Sequence, residues 1–188
     1  MDVRTICLGV LTLGDASGYE IRKQFEEGPF AHFYEASFGS IYPALRVLLA
    51  DGLVSVTELP QDGKPDKKVY RLTAAGRRTF EVALKETPAA DKIRSEALVH
   101  LFFAELMEAD DLTRVYDDYL NHYLELVSHI EELDPAGIPP GRMFVRGMGL
   151  TFYKAMAAYM EENRDQVLAE IAQHRSAGSQ QPASEAAE

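Results

Sequence analysis

Apolar side chains in the stretch from Ser37 to Val54 fall at Ile41, Leu45, Leu48 and Leu49, a spacing that gathers them on one face of an α-helix. The opposite face holds Ser40, Pro43, Arg46 and Ala50, small side chains around one guanidinium that can fork onto a phosphate or a guanine edge. Ser37 or Ser40 can cap this helix, and Pro43 favours the later start, because proline is tolerated in a first turn where its missing N–H loses no partner. Asp51-Gly52 ends it, with glycine suited to the left-handed terminal conformation. Upstream, Ile6, Leu8, Val10, Leu11 and Leu13 predict a helix over 3–13 that is buried on most sides. Asp15 or Ser17 caps a second helix from Gly18 to about Glu27, with Ile21 and Phe25 inward and Arg22 and Lys23 outward. Residues 28–36 read as a loop or short helix whose Phe30, Phe33 and Tyr34 plug the core.

After Gly52 the period changes from 3.6 to 2. Leu53–Leu59 alternates, PQDGKPD supplies turn residues, and Lys67–Thr73 alternates again, which predicts a two-stranded hairpin with a basic tip. Thr73 caps a following helix that Thr87-Pro88 ends. Three helices and then a hairpin is the order of a winged helix-turn-helix, in which the third helix enters the major groove and the wing follows the backbone. Ser37, Ser40, Tyr42 and Arg46 are then candidates for the groove. Lys64, Lys67 and Lys68 are candidates for the DNA backbone or the minor groove beside the wing, with Arg22 and Lys23 for phosphates, although those two equally suit a solvated face. Tyr42, at the edge of the apolar face, can either reach DNA or pack.

The second half of the chain is read as helical. Ala89–Met107 predicts one helix with Ile93, Ala97, Leu98, Leu101, Phe102 and Leu106 on its apolar side. Asp110 or Asp111 then caps a helix in which Leu112, Tyr116, Tyr119, Tyr123, Leu126, Ile130 and Leu133 step by 4, 3, 4, 3, 4, 3, a heptad seam. Val115, Leu120, Leu124 and Val127 form a second stripe, so this helix needs two neighbours. The spare face predicts a homodimer through Leu112, Tyr116, Tyr119, Tyr123, Leu126 and Ile130, against the simpler alternative of an internal core helix. A proline- and glycine-containing turn at 134–141 precedes a last helix from Arg142 to about His174, with Phe144, Met148, Phe152, Ala155, Met156 and Tyr159 on one side and Gly147 and Gly149 open to close approach. The expected domains are 1–86, DNA-binding; 87–175, helical dimerisation; and 176–188, a polar, acidic tail without fixed structure. The fold class is mainly α with a small β-hairpin wing.

Charge first argues against a nucleic-acid partner, since the chain carries a net −11. Its distribution reverses that. Residues 1–80 hold 10 basic and 10 acidic residues, and 81–188 hold 9 and 20, so the acidic excess lies wholly in the second part. Cys7, the single cysteine, sits in an apolar run and reads as a buried structural thiol. Ile6–Leu13 is too short for a membrane span, which favours the cytoplasm.

No phosphate loop, nucleophile elbow or zinc motif appears, so the chain is read as a non-enzyme without cofactor. His122, Glu125 and His129 share one helical side, a spacing far commoner on solvated helices than at metal sites. The competing class is an acidic helical module that binds protein without touching DNA.

Three segments carry a resemblance: DASGYEIRKQF, FYEASFGSIYPALRVLLADGLV and QDGKPDKKVYRLTAAGRR resemble the PadR family of transcriptional regulators. The wing GKPDKKVY is most similar to the family's virulence-gene-activator branch. FVRGMGLTFYKAMAAYM is similar to the family's last helix, with Tyr159 where a tryptophan is usual. The resemblance implies a homodimeric regulator, most often a repressor, on double-stranded DNA. It also implies a small aromatic effector, phenolic acids among them, bound near the junction of the two parts; Phe102, Phe103, Phe152, Tyr153 and Met156 are the lining candidates, and Arg94 or His100 the partners for a carboxylate.

Overall fold

Asp2 starts the first helix, α1 (Val3–Leu11), by accepting the Thr5 N–H at 2.9 Å. That backbone hydrogen bond, with help from the Thr5 hydroxyl and Arg4, holds the Asp2 carboxyl at about 2. The computed structural model describes residues 1–32, 34, 38–61 and 64–178. The chain folds as two units, Met1–Asp91 and Lys92–Glu188.

In the first unit α1 is buried along Ile6, Cys7, Leu8, Val10 and Leu11. A two-residue strand, β1 (Ala16–Ser17), leads into α2 (Gly18–Glu26), a short 3-10 turn at Pro29–His32, and α3 (Phe38–Ala50). The hairpin follows as β2 (Val54–Gln61) and β3 (Lys64–Leu72), then α4 (Ala74–Ala83). The sheet order is β1-β3-β2, antiparallel throughout, with Ser17 opposite Val69 and Thr57 opposite Val69 on the other side. Ile21, Phe25, Ile41, Ala44, Leu45, Leu48, Val54 and Tyr70 close the core over α1. Cys7 lies inside it, and burial pushes its thiol up to about 12, so it is inert at neutral pH. Thr73 ties the sheet to α4: its hydroxyl accepts the Gly76 N–H at 3.0 Å and lies 2.9 Å from the Gly52 and Leu53 carbonyl oxygens.

Several boundaries differ from the sequence reading for physical reasons. Ser17, not Asp15, caps α2, because only Ser17 reaches the Glu20 N–H while Glu20 reaches back in a capping box. Helix α3 begins at Phe38, so Ser40 is already helical and Pro43 lies inside the helix; burial of Ile41, Leu45 and Leu48 offsets the hydrogen bond that proline removes. Ser37 and Phe33 fall outside the described residues. Ala44 takes the buried place expected for Leu49, which is exposed. The hairpin extends two residues past Leu59 and begins three before Lys67, with a register shift between Leu59 and Gln61, flanking Pro60, which has no N–H for the ladder. Strand β1 is invisible to periodicity because two residues show no alternation.

The second unit holds α5 (Glu96–Phe102), a 3-10 turn at Ala104–Leu106, α6 (Ala109–Glu132) and α7 (Pro140–Gly178). The single helix expected over 89–107 is cut to α5, capped by Ser95 on the Leu98 N–H. Residues 88–94 are exposed, and alanine-rich sequence without a buried face does not hold a helix of that length. Asp110 and Asp111 lie within the first turn of α6, where they suit the dipole, and Glu108 is the N-cap residue. Leu112, Tyr116, Tyr123 and Ile130 are buried, and Tyr119 and Leu126 half-buried, within a single chain. The heptad seam is therefore the α6–α7 contact inside one subunit. The Tyr116 hydroxyl donates to the Met160 carbonyl at 2.8 Å. Arg164 forks onto Asp117 with two 2.7 Å hydrogen bonds, and Arg146 Nη2 holds the last α6 carbonyls, Ile130 at 2.6 Å and Leu133 at 3.1 Å.

The inward face of α7 runs through Tyr153, Met156, Ala157, Met160, Val167 and Leu168. Phe144, Met148, Phe152, Ala155 and Tyr159, expected with Met156 on one side, form the outward face and are exposed. A methyl group at Gly149 would meet Ile130 and Tyr153 only at ordinary van der Waals distance, and around Gly147 there is open space among the described residues, so neither glycine is required by the close helix approach expected of them. Of the tail expected at 176–188, the first three residues continue α7 and 179–188 lie outside the described residues.

Candidate nucleic-acid interface

Helix α3 presents Tyr42, Pro43, Arg46, Val47, Leu49 and Ala50 outward, with Ser40 half-buried. The buried residues Ile41, Ala44, Leu45 and Leu48 fix the rotation of the helix, so Arg46 points away from the core by construction. Tyr42 is 40% exposed, and its ring lies over Gly18 at the start of α2. A side chain at Gly18 would meet that ring at 2.6 Å, so glycine here sets how closely α2 and α3 approach. Tyr42 therefore packs and is also half available to a ligand, which combines the two alternatives left open by the sequence.

The basic side chains divide by their partners. Arg22 and Lys23 pair along α2 with Glu26 at 2.7 Å and Glu27 at 3.1 Å. Lys67 meets Glu20 at 2.9 Å, Lys68 meets Glu58 at 3.2 Å, and Arg71 meets Asp15 at 2.6 Å. The acids keep the cations charged: Glu26 raises the pKa of Arg22, Glu27 that of Lys23 and Asp15 that of Arg71. Lys64 lies in β3 at the far end of the hairpin. Arg46 makes no ion pair among the described residues, and it is the only base on α3.

The residues expected to line an effector pocket do not form one cavity. Phe102 and Phe103 stack edge-on at 5.1 Å and line an open apolar hollow of about 500 Å³ with Ile93, Arg94, Leu98 and Val99, all from one stretch of chain. Phe152 and Tyr153 instead surround Tyr123, with ring centroids at 6.4 and 6.0 Å, and Met156 packs on the same core. His100 does not line the hollow. What the sequence does not reveal here is a polar chain inside that core. Ser95 donates to the Tyr119 hydroxyl at 3.1 Å, which lies 2.7 Å from the Tyr123 hydroxyl. Burial and that hydrogen bond raise the Tyr123 pKa, so its hydroxyl stays protonated.

The outward Arg46 thus lies on α3 in the same unit as the β2–β3 hairpin. Residues 7–82 match the family described as "Transcriptional regulator PadR-like family". This part of the chain is similar to a PadR-like domain. The negative transcriptional regulator PadR of Bacillus subtilis (strain 168) is 27% identical over 114 residues, which cover 60% of this chain and 62% of that protein. The match thus spans less than two thirds of that relative's length. Among solved structures, smu.1604c from Streptococcus mutans UA159 superposes with a TM-score of 0.77 at 28% identity, covering 88% of this chain and 99% of that one. Bacillus subtilis PadR in complex with operator DNA superposes at 0.68 and 26% identity, covering 90% and 98%. These overlaps extend past residues 7–82, and the mainly helical architecture with its small antiparallel wing matches those winged-helix structures with a helical C-terminal region. Among the described residues no helix is long and apolar enough to cross a membrane, and no group of His, Cys, Asp or Glu is placed to hold a metal ion.

Proposed function

We propose that this protein is a sequence-specific DNA-binding transcriptional regulator, a homodimer on a (pseudo)palindromic operator, and not an enzyme. The observation that carries the reading is Arg46: exposed on the outer face of α3 and without an acidic partner among the described residues, within the residues that match the PadR-like family. Ser40, Tyr42 and Arg46 are assigned to the major groove. The wing lysines Lys64 and Lys68 are assigned to the backbone, whereas Lys67 is held by Glu20. Arg22 and Lys23 are assigned to phosphates, which would displace the exposed Glu26 and Glu27; Ser37 stays with the groove set on sequence grounds. Repression is the sense favoured, since the relative with 27% identity is a negative regulator. The reading places the protein in the cytoplasm with its DNA.

For the dimer, the seam of α6 is already used within one chain, and the support comes from the outward faces of α5 and α7. Phe102 is 78% exposed and Phe144 69%, with Ile93, Val99, Phe103, Leu106, Met148 and Phe152 also exposed in the same unit. A lone subunit rarely leaves so many large apolar side chains in water, and a second copy is the partner that would cover them. A small aromatic acid is the effector class proposed. Arg94 beside Phe102 and Phe103 offers a cation at the rim of an apolar hollow. Bacillus subtilis PadR has been solved in complex with p-coumaric acid.

Selection of duplexes from a random pool tests the function. The protein is expected to enrich an inverted repeat. Retention of no duplex at micromolar protein and low salt would instead favour the acidic protein-binding module.

A further inference from the structure

Two ion pairs bracket β1, a strand of only two residues. Ala16 and Ser17 face Tyr70 and Val69 of β3, and on one side Arg71 donates to Asp15 through Nε at 2.8 Å. On the other side Lys67 Nζ donates to Glu20 Oε1 at 2.9 Å. Glu20 is itself anchored: its Oε2 accepts the Ser17 N–H and the Ser17 hydroxyl, each at 2.7 Å, within the capping box that starts α2. Ser17 is a buried polar residue in the core of this unit. The chain Ser17–Glu20–Lys67 thus connects the first turn of α2 to the stem of the hairpin. The backbone hydrogen bond from Ser17, followed by Lys67, holds the Glu20 carboxyl at about 2. Lys68 differs. Its partner Glu58 is its cross-strand neighbour within the hairpin, so that pair fixes nothing outside it.

We infer that Glu20 is a positioning residue for DNA recognition: through Lys67 it sets the angle of the β2–β3 wing beside α2 and α3, and Lys67 is a brace of that joint and not a phosphate ligand. The inference rests on the DNA-binding reading above. Two residues of β1 provide too little ladder to set the direction of an eight- and nine-residue hairpin, and the two flanking pairs supply the missing constraint. An exposed pair of this kind adds little to global stability, so its effect belongs to orientation. Wing contacts and groove contacts must be made together, and a wing free to swing loses its share of the ordered complex.

The test compares Glu20→Gln, Lys67→Gln and the double variant on the sequence selected by the wild type and on random duplex. Glutamine at this helix position keeps the capping acceptor and removes only the charge; Lys67→Gln leaves the cap untouched. Each single variant, and equally the double, should bind the selected site about five-fold more weakly, a modest coupling energy shared by one pair. The salt slope and the affinity for random DNA should stay at wild-type values, and the thermal midpoint of Lys67→Gln should move little. The inference is overturned if Glu20→Gln tightens binding to both DNAs while Lys67→Gln flattens the salt slope by about one unit, since Lys67 would then be a phosphate ligand masked by Glu20. It is also overturned if the two losses multiply. A wild-type protein that retains no DNA sinks the DNA-binding reading itself, an outcome separable from either of these.

Discussion

Arg46 is the one cation that α3 turns outward. Ala50 and Pro43 beside it leave room for a base pair edge, and its own stem is held by a helix whose rotation the core fixes. Arg46→Ala should weaken binding to the selected site by roughly 1–3 kcal/mol and relax preference at one base position, measured by anisotropy titration on a panel of single-base variants. Equal losses on selected and random duplex would remove Arg46 from the groove. Glycines make the opposite point, about backbone approach. A methyl group at Gly76 would collide with the Leu53 carbonyl oxygen and press on Leu72, whereas Gly39 has open space among the described residues. Gly76→Ala should therefore destabilise by about 1–3 kcal/mol or more in urea unfolding, and Gly39→Ala should be neutral or stabilising. A Gly76→Ala protein as stable as wild type would contradict the close contact. The outward place of Arg46 could be read from the periodicity of Ile41, Leu45 and Leu48. The role of Gly76 could not, because its neighbour Leu53 is distant in sequence.

At the scale of elements, caps and faces decide stability. The Asp2 and Glu20 carboxyls that start α1 and α2 are both held near 2 in the folded chain, from ordinary values of 3.8 and 4.5. Depressed carboxyls contribute stability that is fully present above about pH 4.5 and is lost as pH falls toward 2. Urea midpoints should fall across that window, and Glu20→Gln should reduce the fall. A variant with the wild-type acid profile would mean that Glu20 is not linked to folding. Helices α6 and α7 show how far periodicity carries. The seam Leu112, Tyr116, Tyr123, Ile130 was legible as a buried stripe, but a heptad pattern does not say whether its partner is the same chain or another. On α7 the large residues Phe144, Met148, Phe152 and Tyr159 read as one side, and that side is the exposed one, while Ala157 and Met160 pack on Tyr116, Leu120 and Tyr123. Tyr123→Glu should accordingly unfold the second unit, seen as lost helical signal; a folded monomer would return Tyr123 to a subunit interface.

At the scale of the whole molecule, the proposed dimer follows from what one chain leaves uncovered. Phe102, Phe103, Phe144 and Phe152, at ~150–250 Å² each if fully covered, together with Ile93, Leu106 and Met148 approach the ~800 Å² per partner of a stable interface. Phe102→Glu with Phe144→Glu should sediment as a folded monomer and lose affinity for a two-half-site duplex, while its binding to a single half-site persists weakly. An unchanged dimer would move the interface to another face. The central claim is that two copies of α3 read one DNA site. Hydroxyl-radical and methylation footprinting of the selected duplex measures this directly. The account predicts two major-groove segments protected by wild type, centred about one helical turn or a multiple of it apart, with guanine protection in both lost in Arg46→Ala. A single protected segment, or protection unaffected by Arg46→Ala, would contradict it.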